Sequence, residues 1–436
     1  MSNIKVGFSK KIITPPIGTP LSGYEFERYA KGINDDLYVR VIAFTDDHNN
    51  EKLFFIQLDL IAVDYNFVDL LISQITEKFK IKKSNVEISC IHTHSGPGGT
   101  MDTDNGINRA FKYVFCNYNH NLVQYITDQT IKCIKESLNG TDYFTVSYGE
   151  SYVDGVSSNR RDRNIPIDKR IQVVKITRKD KKIAIIYNFA CHPTVLNKFN
   201  YLISSDFAGE VSKLMEQRKH IELTIFYNGA CGDISTRFIR KESSFKESRR
   251  LAYIIASNII KSLNNNISEF EVDNIYVINN TLPLKIKQVI SIEQAQKIVE
   301  ENKIRLQNAI NNNINGNQIR LYQSELEGAI NNLHLSEAVG SIKTIDINIS
   351  IVRLGDIILV YIPGELFNSL GTRIKQAFNK NKILIICYSN GYIGYIPDAK
   401  AYSLEGYEVA SSLLPVGCGE QITDEVIEMI NNIRTK

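Results

Sequence analysis

No run of this sequence stays apolar for the roughly 18 residues that a membrane-crossing helix needs. The longest apolar pieces, 357–362 and 383–387, are strand-sized. The opening residues, MSNIKVGFSKKIITPPIG, carry no signal-peptide core, and Pro15-Pro16 arrives early. Both features predict a protein with no membrane span that stays in the cytoplasm. Tryptophan is absent, although there are 22 tyrosines. Excess charge of one sign is absent too: 51 basic and 48 acidic residues leave a net charge of +3. That balance argues against a surface built to hold nucleic acid or acidic membranes. Seven cysteines stand at 90, 116, 133, 191, 231, 387 and 418, with no CxxC pair. An odd number set mostly in apolar segments predicts reduced, buried thiols and again a cytoplasmic chain.

Motifs of several enzyme classes are missing as well. Nucleotide binding has no support, because neither GxxxxGKS/T nor a GxGxxG after a strand occurs. There is no GxSxG elbow and no HExxH. A His-Thr-His triplet is present at 92–94, but without the Asp-His that an HxHxDH site requires.

What is present is ordinary globular composition: 436 residues, 43% hydrophobic and 23% charged, enough to bury a sizeable core without disulfides. Short β-branched runs bounded by polar turns predict strands at 39–45, 53–59, 86–91, 144–148, 171–176, 183–189, 223–227, 275–282, 347–353, 357–361 and 383–388. Helical periodicity predicts helices at 67–79, 122–137, 209–218, 246–263, 292–311, 318–333, 366–378 and 424–433. Ser291, with Gln294 three residues on, fits a capping box before Ile292. The alternation predicts an α/β fold of mixed β-sheets flanked by helices, as one domain over 1–436. The polar helices at about 290–338 read as a helical insertion, and no internal repeat is visible.

Five segments concentrate chemistry. Strand 86–91 runs into His92-Thr93-His94-Ser95-Gly96-Pro97-Gly98-Gly99. Residues two apart on a strand share a face, so His92 and His94 can enter one site at the strand end. Neutral imidazole is the commonest metal ligand, and two solvated histidines are the bland alternative. Asn188-Phe189-Ala190-Cys191-His192-Pro193-Thr194 ends another strand in a histidine, which alone reads as a hydrogen-bonded core group. Asn228 to Ser235 is a loop with two glycines, Asp233 and Ser235, fit either for substrate contact or for local backbone bonds. Glu365 follows Tyr361-Ile362-Pro363-Gly364 at a strand-to-helix junction, where a helix dipole also favours a carboxylate. Tyr392, Tyr395, Tyr402 and Tyr407 form a tyrosine run, which by itself reads as packing.

In order along most of the chain, these segments resemble the neutral/alkaline ceramidase family of zinc-dependent amidases. The likeness begins at Gly7-Phe8-Ser9 and Gly32-Ile33 and includes His92 to Gly99, Asn159-Arg160, His192-Pro193-Thr194 and Ser205-Asp206. It continues through Cys231 to Ser235, Pro363-Gly364-Glu365 and the tyrosine run. The resemblance implies zinc ligands at His92, His192, Glu365 and Tyr395. It places His94, Arg160, Ser235 and Tyr407 along the substrate site. The family's ceramidases are typically longer, with a carboxy-terminal β-sandwich domain, and are exported; neither feature is expected here. Arg161-Asp162 and Thr236 also stand where the family has Ser-Pro and Pro.

The function expected is a zinc-dependent amidohydrolase that attacks an N-acyl amide with zinc-activated water. Arg160 or His94 would hold the oxyanion, and His94 or Tyr407 would protonate the amine. Ser235 reads as a substrate anchor, with nucleophile as the other reading. A small or medium N-acyl substrate is expected at least as readily as a lipid such as ceramide. The rival readings are a zinc esterase or deacylase of another metabolite and a non-catalytic metal- or ligand-binding protein.

Overall fold

Strands covered on both faces need apolar residues at every position, and the central strands here have them. The computed structural model describes residues 3–24, 27–49, 51–264, 268–340, 342–378 and 382–434. Three sheets dominate. The first has strands β1 (Ile4–Ile12), β2 (Tyr38–Asp46), β3 (Glu51–Leu58) and β4 (Val86–Cys90), in the order β1-β2-β3-β4. The second has β5 (Phe144–Tyr152), β6 (Arg170–Arg178), β7 (Ile183–Phe189), β8 (Ile221–Asn228) and a short edge strand β9 (Ser268–Phe270), in the order β8-β7-β6-β5-β9. The third has β10 (Ile275–Lys285), β11 (Thr344–Leu354), β12 (Ile357–Tyr361) and β13 (Lys382–Ile386), in the order β10-β11-β12-β13.

One plan recurs in all three sheets. Three strands pair antiparallel in succession, and a fourth then pairs parallel to the third. A parallel partner requires a crossover. The crossovers are helices α1 (Tyr65–Phe79) in the first sheet, α3 (Asp206–Glu216) in the second and α7 (Asn368–Gln376) in the third. A further helix follows each fourth strand: α2 (His120–Asn139), α4 (Phe245–Asn264) and α8 (Cys418–Arg434). Each packs back on the first strand of its own sheet. The sequence shows no repeat, yet the topology is threefold.

Side-chain alternation explains how the layers stack. Ile42 and Phe44 of β2, Val174 and Ile176 of β6, and Leu359 and Tyr361 of β12 point into one inner cluster shared by the three sheets. Their neighbours Val39, Val41 and Ala43, or Ile358 and Val360, face outward onto helices, as Ile171 and Val173 do against α3 and α4. The α/β fold of mixed sheets flanked by helices is borne out.

The expected strands and helices are all present, with ends shifted by a few residues. The strand expected to run to 388 ends at Ile386, because Tyr388 turns left-handed (φ 56°). β1 was not expected from the sequence. The helical insertion is α5 (Ile292–Asn311) and α6 (Gly316–Val339), between β10 and β11, and its capping box at Ser291 and Gln294 is formed. Among the described residues no helix is long and apolar enough to cross a membrane.

Candidate functional site

The parallel third and fourth strands of all three sheets empty toward one place. From β4 come His92 and His94, from β7 comes His192, and from β12 comes Glu365. His92 and His94 do not share a strand face as the spacing predicts, because β4 ends at Cys90 and His92 itself adopts φ 69°. That left-handed turn brings the rings together, with centroids 4.8 Å apart. His192 forms a bridge with Ser235, and Glu365–Leu366 pairs in parallel with Tyr395–Ile396.

Each histidine has one nitrogen committed to a backbone carbonyl. Nδ1 of His92 lies 2.9 Å from the Ile61 oxygen, Nδ1 of His94 2.8 Å from that of Gly23, and Nδ1 of His192 2.8 Å from that of Cys231. A carbonyl only accepts, so Nδ1 carries the proton in all three rings. Burial holds the pKa of all three well below the usual histidine value, so the rings are neutral. Their Nε2 lone pairs then face one another. Those of His92 and His94 lie 3.2 Å apart, and the three rings offer ligand atoms within 4.8 Å of one another.

Glu365 completes the cluster. Its Oε2 lies 2.9 Å from His192 Nε2 and 3.7 Å from His92 Nε2. His192 Nε2 is fully buried and has no hydrogen-bond partner among the described residues. A lone pair against a carboxylate oxygen is repulsive unless a cation lies between them, so the donor set fits a metal ion. Two hydroxyls steady the carboxylate: Tyr388 donates to Oε2 at 3.2 Å and Tyr392 to Oε1. Tyr388 also stacks on the His92 ring at 3.9 Å.

Two glycines permit this crowding. Gly23, at φ +99°, has the His94 ring 2.6 Å from where a Cβ would stand. A Cβ on Gly232 would stand 2.3 Å from the Glu365 carbonyl oxygen.

Tyr395 lines the same recess as His92, His94, Glu365 and Tyr407. Burial pushes its hydroxyl well up, and Arg160, stacked 5.3 Å from its ring, pulls it back. Arg160 is itself buried, with Nε on Glu408 at 2.8 Å and Nη2 on the Gly232 carbonyl at 2.8 Å. Tyr407 opens a short helix and sets its ring edge-on to Tyr395 at 5.8 Å. Ser235 faces a cavity of about 500 Å³ together with His94, Arg160, Tyr395 and Tyr407. All eight expected site residues therefore meet around one centre. Tyr402 of the tyrosine run does not: its hydroxyl donates to the Leu414 carbonyl.

Several participants carried no sequence signal. Through tertiary contacts Tyr388 bonds Glu365, Glu408 bonds Arg160, and Arg237 and Arg320 line the neighbouring cavity. Asp233 stood in a noted loop, but its role was not foreseen. Its carboxylate accepts from Asn159 Nδ2 and the Asn368 amide, which ties the Arg160 segment to the start of α7.

Residues 4–246 match the family model for the N-terminal part of neutral/alkaline non-lysosomal ceramidase. The chain is 26% identical over 255 residues to neutral ceramidase 2 of Arabidopsis thaliana, covering 54% of this chain and 32% of that protein. It is 25% identical over 195 residues to the neutral ceramidase of Mycobacterium tuberculosis, covering 41% and 30%. The match thus spans about a third of the length of these curated relatives. Two solved structures share the fold over 100% of this chain. One is neutral ceramidase from Pseudomonas aeruginosa, with a TM-score of 0.78, 18% identity and 75% of that chain covered. The other is a ceramidase complexed with C2, with a TM-score of 0.75, 15% identity and 76% covered. On the family match, which covers more than half of its residues, the chain belongs to the neutral/alkaline non-lysosomal ceramidase family.

Proposed function

We propose that the chain is a zinc-dependent amidohydrolase that cleaves an N-acyl amide, with His92, His192, Glu365 and Tyr395 as ligands. One observation carries this reading: the fully buried His192 Nε2 has no hydrogen-bond partner among the described residues and faces Glu365 Oε2 at 2.9 Å. Bound at such a site, zinc supplies a nucleophile from water near neutral pH and polarises a carbonyl.

The chain's own residues do the rest. Arg160 is anchored by Glu408 and Gly232 beside the centre, where a fixed positive charge stabilises a developing oxyanion. His94 keeps its proton on Nδ1 and turns an unprotonated Nε2 to the centre, where it takes up a proton. The Tyr407 hydroxyl, beside Tyr395 on the same cavity, gives one to the leaving amine. Ser235 anchors substrate in the cavity. Seven unpaired thiols suit a reducing compartment, and we place the protein in the cytoplasm on that ground.

The test is elemental analysis beside hydrolysis of N-acyl compounds, ceramides among them, with and without chelator. About one zinc per chain is expected, lost in His92→Ala and His192→Ala and kept in His94→Ala. His94→Ala should nevertheless lower kcat/KM by roughly 10²-fold or more. Wild-type zinc in both ligand variants would overturn the ligand set, and chelator-resistant turnover would overturn the zinc.

A further inference from the structure

We propose that the substrate bears an anionic group, a carboxylate or a phosphate, that docks on Arg237 and Arg240 beside the metal centre. The proposal deepens the amidohydrolase reading, on which it rests for the bond that is cleaved.

The cavity next to His94 is strongly cationic. Guanidinium groups of Arg160, Arg237, Arg240 and Arg320 line its wall, and Glu327 is its one lining carboxylate among the described residues. Two of these four charges, Arg160 and Arg320, are already matched. Glu408 holds Arg160 and Arg161, and Glu327 takes both Nη atoms of Arg320 at 3.0 and 3.3 Å. Arg237 and Arg240 have no carboxylate partner among the described residues. Nη1 of Arg237 rests only on the Arg160 carbonyl, at 3.4 Å, and Nη1 of Arg240 donates to the Thr194 carbonyl.

Arg237 is exposed to the water of the cavity, with protein packed around the stem of its side chain. Partial desolvation in the cleft, with Arg160 and Arg320 near it, lowers its pKa to about 10. An unmatched guanidinium among like charges is costly until an anion arrives, and its planar fork suits carboxylate and phosphate. A cleft of one sign also concentrates counter-charged ligands. Position supports the same reading: Arg237 lies two residues after Ser235, and its amide donates to Ser235 Oγ at 3.2 Å. The apolar recess beside His92 and Glu365, walled by Phe111, Phe115 and Leu335, has only about 40 Å³. The larger space beside the centre is therefore the arginine-lined cavity of about 500 Å³.

The test measures binding apart from turnover. N-hexylsulfonyl derivatives of glycine, phosphoethanolamine and ethanolamine have no carbonyl to attack and differ in charge. Calorimetry on the zinc-loaded protein should find an anionic member at least tenfold tighter than the ethanolamine compound. The carboxylate and phosphate arms show which anion the site prefers. The preference should weaken with salt, collapse in Arg237→Gln and survive in Arg237→Lys. Equal binding, tighter binding of the neutral compound, or no binding overturns the proposal. The matching N-hexanoyl compounds are assayed for hexanoate release. Anion-selective binding without any release would sink the amidohydrolase reading and leave the anion site standing.

Discussion

At His92 the backbone leaves β4 and turns left-handed at once, a conformation uncommon outside glycine. Strain of about 1–3 kcal/mol per such residue is held where the surroundings over-determine it. Here the Ile61 carbonyl, the Tyr388 ring and neighbouring His94 all fix the imidazole. The identity of the key side chains was legible because each sits in a short segment where a strand ends. Their grouping was legible only through the family resemblance. Spacing alone misjudged how His92 and His94 meet, since a φ angle leaves no mark in residue types. Glycine 232 makes a sharp residue-level test. Its missing Cβ leaves room for the Glu365 carbonyl, its amide donates to Leu366 and its carbonyl receives Arg160. Gly232→Ala must push the 365–366 bridge away and carry the Glu365 carboxylate off His192. The variant should fold and lose zinc to a competing chelator at least tenfold more readily. Unchanged affinity would mean that Glu365 does not hold the ion.

Among elements, the crossover helix α7 is held to the start of β6 by a half-buried charge cluster. Asp168 accepts Arg170 Nε at 2.8 Å, Arg170 Nη2 at 2.9 Å and Lys375 Nζ at 3.2 Å, while Asn368 Oδ1 receives its amide. Burial alone would raise the Asp168 pKa; Lys375 and Arg170 outweigh it and hold it at about 2, against an ordinary 3.8. A carboxylate whose folded pKa is depressed stabilises above its unfolded pKa and stops doing so as pH falls through the folded one. The shift corresponds to about 2 kcal/mol, present at pH 7 and lost between about pH 4 and 2. Asp168→Asn should therefore unfold in urea with stability lower by about 2 kcal/mol at pH 7 and pH 5, with the gap narrowing by pH 3. A gap that stays constant at pH 3 would exclude the charge as its cause. Other elements differ in how plainly the sequence announces them. The strands buried on both faces are continuous β-branched runs, and α5 begins at its capping box. β1 is an edge strand carrying Lys5, Lys10 and Lys11, and that polar dressing hides its alternation. The two-residue bridges that hold Asn159, Ser235, Glu365 and Tyr395 are too short to leave any periodic trace.

Across the whole molecule, the threefold plan divides the site into floor and roof. The floor is the set of strand ends already described. The roof comes from the connections between the first and second strands of the sheets: Gly23 and Tyr24 from the first, Arg160 from the second, and Arg320 and Glu327 of α6 from the third. Of these connections the third carries the two-helix insertion, whose second helix is α6. It rests on the Tyr407–Ala410 helix, with Asn331 Nδ2 on Ser411 Oγ at 2.8 Å. Gly328 is the closest approach, since a Cβ there would stand 3.2 Å from the Ala410 Cβ and 3.6 Å from the Tyr407 Cα. Gly328→Leu cannot be accommodated without lifting α6 or shifting Tyr407 and Glu408, and overpacking of this kind costs about 1–3 kcal/mol. Glu408 anchors Arg160, so the disturbance reaches the proposed oxyanion contact while the floor stays in place. Gly328→Leu should keep its full zinc content and lower kcat/KM on an N-acyl substrate at least tenfold. Loss of zinc in step with activity would show that floor and roof are one unit, and unchanged kinetics would remove α6 from the site altogether.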